Sequence, residues 1–294
     1  LKEMLSKRNP NFIISVIVLA MVVGAVVPSA RAEQEKLDLQ MQDVLARPGD
    51  FVDLAAKLEK AGPHGIAIPA ADIEFRLDGK PIGTRKTDEH GDATLRIQAP
   101  EPGDHIVKVV YAGEPRYLRS EYRALLAVRR ETETILVVDV DWTLSMTDNL
   151  NTTLGGRDCP PVRDAPEALE KLATRHTVAY VTGRARQLRK RTISWLHRYG
   201  FPRGPTFFLD PGEFPTYDAV AYKKSVLAPM RQKFSGLKIG IGNDRDDLES
   251  YGAVGLKTLL IGQEPIPGAV CVRDWSQAEE ALVRLESAPG PSKK

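Results

Sequence analysis

A chain of 294 residues with 42% hydrophobic and 27% charged side chains is ordinary globular material, long enough for one large domain or two of common size. A formal net charge of +2 excludes a strongly basic nucleic-acid binder, and the lack of any fixed-period repeat excludes a solenoid. Two cysteines, Cys159 and Cys271, are too few for a disulfide framework, and no Cys or His cluster has zinc-ligand spacing. Either a Cys159–Cys271 pair or two separate thiols is compatible with the sequence.

At the N-terminus, Lys2, Lys7 and Arg8 precede an apolar run over residues 12–27, and Ala30 and Ala32 supply a small-x-small end. This order predicts a secretory signal peptide over 1–32, cut before Glu33. The run is just short of the ~20 residues that span a bilayer, so an uncleaved anchor is the alternative. Either reading predicts an exported chain: periplasmic, secreted, or anchored with its catalytic part outside the cytoplasm. Residues 33–47 are polar with helical leanings and read as a tether.

Residues 48–129 have the texture of a β domain. Ile73, Phe75 and Leu77 alternate with Glu74 and Arg76, the period of a half-buried strand, and Asp78-Gly79 marks a hairpin turn. His90-Gly91 bends the chain before Ala93, Leu95 and Ile97. Pro102-Gly103 turns it again before Ile106, Val107, Val109 and Tyr111. Short strands at this spacing predict a β-sandwich. The stretch over 84–95 and the run Pro-Gly-Asp-His-Ile-Val-Lys-Val-Val-Tyr-Ala-Gly from Pro102 resemble bacterial immunoglobulin-like modules. That resemblance implies a spacer or a platform binding another protein or a cell-envelope component. No catalytic cluster falls in it.

Beyond the charged stretch 129–131 the pattern changes. Over residues 133–286, β-branched runs at 135–138, 177–181, 206–209, 237–241 and 258–261 alternate with amphipathic stretches at 166–175, 185–199, 217–234 and 275–286. Such alternation predicts an α/β domain with a parallel sheet covered on both faces, its ligands at the carboxyl ends of the strands. The tail over 287–294, rich in Ser, Pro and Lys, is expected to be disordered.

Four polar clusters sit where that fold binds ligands. Asp139 and Asp141 follow the first strand; two acids there ask for a cation and an anion, or are a capping pair. Thr182, Gly183 and Arg184 follow the second, where a hydroxyl and the amides of a helix start would receive an anion. Lys223 and Lys224 lie on the helix before the fourth strand, and a lysine pair alone reads as solvated surface. Asn243, Asp244, Asp246 and Asp247 follow the fourth strand, as hard ligands for a divalent ion or as a capping turn. Arg184, Arg186, Arg189, Lys190 and Arg191 open a helix beside this site, facing an anionic membrane or, as the plainer reading, solvent.

In this order the clusters resemble the four-motif signature of the haloacid dehalogenase (HAD) superfamily. Val-Asp-Val-Asp-Trp-Thr-Leu-Ser from Val138, Tyr-Val-Thr-Gly-Arg from Tyr180, Phe-Pro-Arg-Gly-Pro from Phe201 and Gly-Asn-Asp-Arg-Asp-Asp-Leu-Glu-Ser-Tyr from Gly242 are similar to the catalytic domain of lipin-type phosphatidate phosphatases. Trp142 stands where that family has Gly, and Gly183 where it has Ala. The resemblance implies a Rossmann-like, capless phosphatase acting through an aspartyl-phosphate. Asp139 would be the nucleophile and Asp141 the acid–base. Thr182, Gly183, Arg184 and Lys223 would bind phosphate, and Asp139, Asp141, Asn243 and Asp247 would hold Mg²⁺. The implied substrate is phosphatidate or another lipid phosphate. Soluble nucleotide or sugar phosphates are the alternative substrates, and a surface-binding protein with an inactive HAD domain is the alternative class. Intervals of roughly forty residues from Asp139 to Thr182 and from Thr182 to Lys223 leave no room for a cap domain, though the loop over 149–161 could form a small lid.

Overall fold

The computed structural model describes residues 34–62, 65–147, 159–214, 216–262 and 264–287. The expected signal segment, most of the expected lid and nearly all of the expected tail lie outside these residues. Ser287, placed in the tail on sequence grounds, closes the last helix. No helix among the described residues is long and apolar enough to cross a membrane.

Eight strands build the first half. These are β1 (Leu37–Met41), β2 (Val44–Ala46), β3 (Phe51–Lys60), β4 (Asp72–Leu77), β5 (Lys80–Lys86), β6 (Asp92–Gln98), β7 (Gly103–Tyr111) and β8 (Ser120–Val128). One sheet has the order β1-β3-β6 and the other β2-β8-β7-β4-β5. Both bury alternate side chains in one core, with Leu39, Leu54, Leu58, Ile73, Phe75, Val109 and Leu126 at its centre. The Asp78-Gly79 turn has positive φ at both residues (48° and 84°), as a twisted two-residue hairpin requires. The tether over 33–47 is corrected. It supplies β1 and β2, because Leu37, Leu39 and Met41 alternate with a period of two and fill the core.

The second half is a six-stranded parallel sheet. Its strands are β9 (Ile135–Val138), β10 (Thr177–Ala185), β11 (Thr206–Leu209), β12 (Leu237–Gly242), β13 (Lys257–Ile261) and β14 (Val270–Val272), in the order β11-β10-β9-β12-β13-β14. Five helices cover it: α1 (Ala165–Ala173), α2 (Arg189–Arg198), α3 (Ala219–Lys233), α4 (Arg245–Ala253) and α5 (Ala278–Ser287). The pleat divides β9 between two cores. Leu136 and Val138 pack with α1, α2 and α5, while Ile135 and Val137 pack with α3 and α4. The second core also takes Leu45, Leu125 and Ala127 from the β module, so the two halves share apolar packing.

Polar contacts reinforce this junction. β11 is an edge strand, and the β1–β2 connection covers its outer side. Thr206 N–H donates to Asp43 Oδ2 at 2.9 Å, Phe208 N–H donates to Gln42 Oε1 at 3.4 Å, and Gln42 Nε2 donates to the Phe208 carbonyl at 3.4 Å. Two side chains thus take the place of a seventh strand. Three of the five basic residues close the same junction, Arg186 from just before α2 and Arg189 and Lys190 from α2 itself, which neither expected reading foresaw. Arg186 pairs with Glu59, buried Arg189 with Gln42, and Lys190 with Asp38. Arg189 also lies over the Phe208 ring and Lys190 over that of Tyr122. A row of cations reads as solvent-facing only when no acidic partner lies opposite, and the β module supplies that partner.

Asp43 is the most exacting of these contacts. Its buried carboxylate accepts from Leu125 N–H at 2.8 Å and Thr206 N–H at 2.9 Å, one from each half. Burial pushes its pKa up to about 6, against the pull of these two amides. Asp43→Ala leaves both amides buried and unpaired, and is expected to remove about 2–5 kcal/mol in denaturant titration. Because the folded pKa exceeds the unfolded one, wild type loses stability relative to this variant as pH rises from about 4 to 6. The difference between the two proteins should therefore narrow across that window and stay constant above it.

Candidate active site

The carboxyl ends of β9, β10 and β12 converge on one cluster of buried polar groups. Asp139 follows β9, and its N–H donates to the Ile241 carbonyl of β12 at 2.9 Å. Asp247, on the first turn of α4, reaches back over β12. An added Cβ on Gly242 would lie 2.2 Å from an Asp247 oxygen, so only glycine lets this carboxylate settle there. Lys223, on α3, lies between the two acids, its Nζ donating at 2.7 Å to Asp139 Oδ1 and at 2.6 Å to Asp247 Oδ1. All three residues are at most 5% exposed. Register on α3 turns Lys223 inward, while Lys224 pairs with exposed Glu249.

The second oxygens of these acids are also engaged. Asp247 Oδ2 accepts from Asn243 N–H at 2.9 Å. Thr143 Oγ1 lies 3.2 Å from Asp139 Oδ2 and 3.1 Å from Asn243 Oδ1. One hydroxyl carries one proton and cannot satisfy both acceptors. Two hard oxygens gathered around one hydroxyl are of the kind that a divalent cation takes as ligands. Among the described residues no three His, Cys, Asp or Glu side chains gather as a metal cluster, so a cation here would rely on Asn243 beside Asp139. Burial pushes the Asp139 pKa up to about 7, with Lys223 opposing and Asp247 adding to the rise.

A second group forms beside the first. Arg184, 2% exposed, donates through Nε to Asp141 Oδ1 at 2.7 Å, through Nη2 to Ser145 Oγ at 2.7 Å and through Nη1 to Thr192 Oγ1 at 3.2 Å. Thr182 Oγ1 is 3.5 Å from Asp141 Oδ2. Arg184 therefore grips Asp141 rather than reaching outward as the expected phosphate contact. The expected helix start at Thr182-Gly183 is also corrected. β10 stays extended through Ala185, and α2 begins only after a short 3-10 turn over Arg186–Leu188. Gly183 lies against the start of α3, with an added Cβ 3.0 Å from that of Ala219.

Asp139, Lys223, Asn243 and Asp247 thus form one cluster, and Asp141, Thr182 and Arg184 its neighbour. Sequence reasoning missed the supports. Thr143 ties Asp139 to Asn243, and buried Trp275 donates its Nε1–H to the Thr143 carbonyl at 2.9 Å. Ser145 and Thr192 hold Arg184. Thr143 and Ser145, inside the first motif, were open to notice. Trp142 holds a left-handed backbone (φ 58°) and leaves its ring half exposed next to Asp141. Cys159 and Cys271 are separate free thiols.

Fold and site together resemble a hydrolase domain of the HAD phosphatase type. Residues 136–261 match the LNS2 domain family of PITM 1-3 proteins. The chain is 27% identical over 199 residues to membrane-associated phosphatidylinositol transfer protein 1 of Rattus norvegicus and 28% identical over the same length to that of Homo sapiens. Each alignment covers 64% of this chain, which spans only 15% of the length of those relatives. Among solved structures, the D,D-heptose 1.7-bisphosphate phosphatase from B. bronchiseptica, complexed with magnesium and phosphate, aligns with 51% of this chain and 98% of its own. The TM-score is 0.40 and the identity 12%.

Replacing Lys223 by Met removes the cation between two buried carboxylates. A loss of about 3–5 kcal/mol is expected in denaturant titration. The loss should be larger at pH 8 than at pH 5, where proton uptake by the acids relieves their repulsion.

Proposed function

We propose that the α/β domain hydrolyses phosphomonoesters with the help of Mg²⁺, through an aspartyl-phosphate on Asp139, and that a lipid phosphate such as phosphatidate is its substrate. The observation that carries this reading is the placing of Asp139 between Lys223 on one side and the Thr143–Asn243 pair on the other. A carboxylate so placed is aimed by its partners, with Lys223 opposing the protonation that burial favours, beside a second acid with its own support.

In the proposed reaction an Asp139 oxygen attacks phosphorus in line, the bond to the leaving oxygen breaks, and Asp141 gives that oxygen its proton. Asp141 then takes a proton from water, whose oxygen attacks the aspartyl-phosphate and releases inorganic phosphate. Thr182, the Gly183 amide and Lys223 bind the oxygens that are not transferred. Arg184 keeps Asp141 facing the reaction and touches the substrate only through it. Asp139, the Asp141 carbonyl and Asn243 would hold Mg²⁺, with Asp247 fixing Asn243 and Lys223. Mg²⁺, when bound, offsets repulsion between Asp139 and the phosphate and stabilises charge in the transition state.

The LNS2 match and the relatives named for phosphatidylinositol transfer support the lipid reading. So does the half-exposed Trp142 ring beside Asp141, an amphipathic group suited to a membrane surface. Among the described residues the connections between strands hold helices and turns and no separate cap domain, which favours a large substrate. We further propose that the β module is immunoglobulin-like and that the apolar run over 12–27 exports the chain.

The test is phosphate release from micellar phosphatidate by residues 33–294, with and without Mg²⁺, beside Asp139→Asn. Release that needs both the metal and Asp139 is expected. Mg²⁺ should also raise the melting temperature of wild type and not that of Asn243→Ala. Hydrolysis of an aryl phosphate but not of the lipid would redirect the search to soluble substrates. Activity unchanged in Asp139→Asn would overturn the mechanism.

In a second test, Trp142→Gly relieves the left-handed backbone and removes the ring. It is expected to lower activity on the micellar lipid and to spare the aryl phosphate. Equal activity on the lipid would remove Trp142 from substrate recognition.

A further inference from the structure

The segment carrying Thr182 and Arg184 is weakly held by its own sheet. Pairing of β10 with β9 ends at Tyr180, and its register against β11 shifts between Thr182 and Ala185. Residues 183 and 184 therefore lack the regular ladder that aligns the rest of the strand. Side chains replace it. Arg184 is anchored inward on Asp141, Ser145 and Thr192. Two residues on, Arg186 is anchored on the β module.

Arg186 Nη1 and Nη2 each donate at 2.8 Å to Glu59, one to each carboxylate oxygen, and Nε lies 3.0 Å from Asp210 Oδ2. The side chains of Arg186 and Glu59 are 11% and 8% exposed, so water screens the pair little. Parallel two-point contacts fix direction as well as distance. Glu59 is itself confined: an added Cβ on Gly65 would stand 3.0 Å from its carboxylate.

We propose that Glu59 is a positioning residue of the active site, acting through Arg186 on the segment that holds Thr182 and Arg184 and so on the aim of Asp141. The β module is then a working part of the catalytic unit, and its contact with Arg186, just before α2, tunes proton delivery to the leaving group. This inference rests on the phosphatase reading above. Loss of the Glu59–Arg186 contact loosens Arg184 and misplaces Asp141, while Asp139, Lys223 and Asn243 stay aligned. A leaving group that needs a proton, such as the alkoxide of phosphatidate, should suffer. A p-nitrophenolate leaves without one, so its release in the first turnover should not, although the water attack that follows also uses Asp141 and slows for both esters.

The experiment compares the first-turnover rate of leaving-group release by the chain over 33–294 from micellar phosphatidate and from p-nitrophenyl phosphate, with Mg²⁺, for wild type, Glu59→Gln, Glu59→Ala and Arg186→Lys. For Glu59→Ala, a loss of about tenfold or more on the lipid and less than about twofold on the aryl ester is expected. Glu59→Gln, which keeps the volume and one acceptor, should fall between. Arg184→Lys should move the ratio of the two rates in the same direction. A lower melting temperature with an unchanged ratio, or equal losses on both substrates, would overturn the proposal. Wild type inactive on both esters would instead overturn the phosphatase reading, and the proposal with it.

Discussion

Two carboxylates buried together, one after β9 and one on the first turn of α4, cannot both stay ionised without a cation between them, and Lys223 is that cation. Its bonds of 2.7 and 2.6 Å tie α3 to the end of β9 and to α4 at once. The rest of the site is arranged around this triad. Gly242 gives Asp247 room, Asp247 orients Asn243 through its amide, and Thr143 ties Asn243 back to Asp139. Asp141 stands outside the triad with a cation of its own in Arg184. The two acids of the first motif, two residues apart, thus have unlike environments, which suits the unlike roles proposed for them.

Much of this was legible in the sequence because strand runs and strand-end polar clusters follow local rules. β9, β11, β12 and β13 fall within a residue of the β-branched or aromatic runs that announced them. Asp139, Lys223, Asn243 and Asp247 meet because a parallel sheet brings its carboxyl ends together whatever the loops between. What escaped notice depends on distant partners. The α2 cations gave no sign of facing Glu59, Gln42 and Asp38, which lie far away in sequence. Arg184 reads as a substrate contact until Asp141, Ser145 and Thr192 are seen to engage all three of its nitrogens. β1 was missed for a different reason: Asp38 and Gln40 made a half-buried strand look like a polar tether, although Leu37, Leu39 and Met41 kept the period. β14 is only three residues long and left too little pattern to read.

The two halves of the chain are fused by three kinds of contact at one junction. Apolar packing brings Leu45, Leu125 and Ala127 under the α/β sheet. Neutral and charged side chains, Gln42 and Asp43, serve the backbone of β11. Ion pairs from α2 complete the seam. The ion pairs alone would add little if exposed, but the Glu59–Arg186 pair and Arg189 are largely shielded from solvent. Unpairing either partner there leaves a charge away from water, which makes the junction specific as well as stable.

The covering of β11 bears on how this protein keeps to itself. A parallel sheet whose outermost strand is bare offers a row of amides and carbonyls to any extended chain, including another copy of the same protein. Here that row is occupied by two side chains from residues 42 and 43, upstream of the segment that reads as the β domain. A phosphatase half cut free at the linker over 129–131 would carry an open, apolar strand of Thr206, Phe207, Phe208 and Leu209, a template for aggregation. The β module is in this sense an internal chaperone for the sheet, and solubility of the catalytic half is a property of the whole chain.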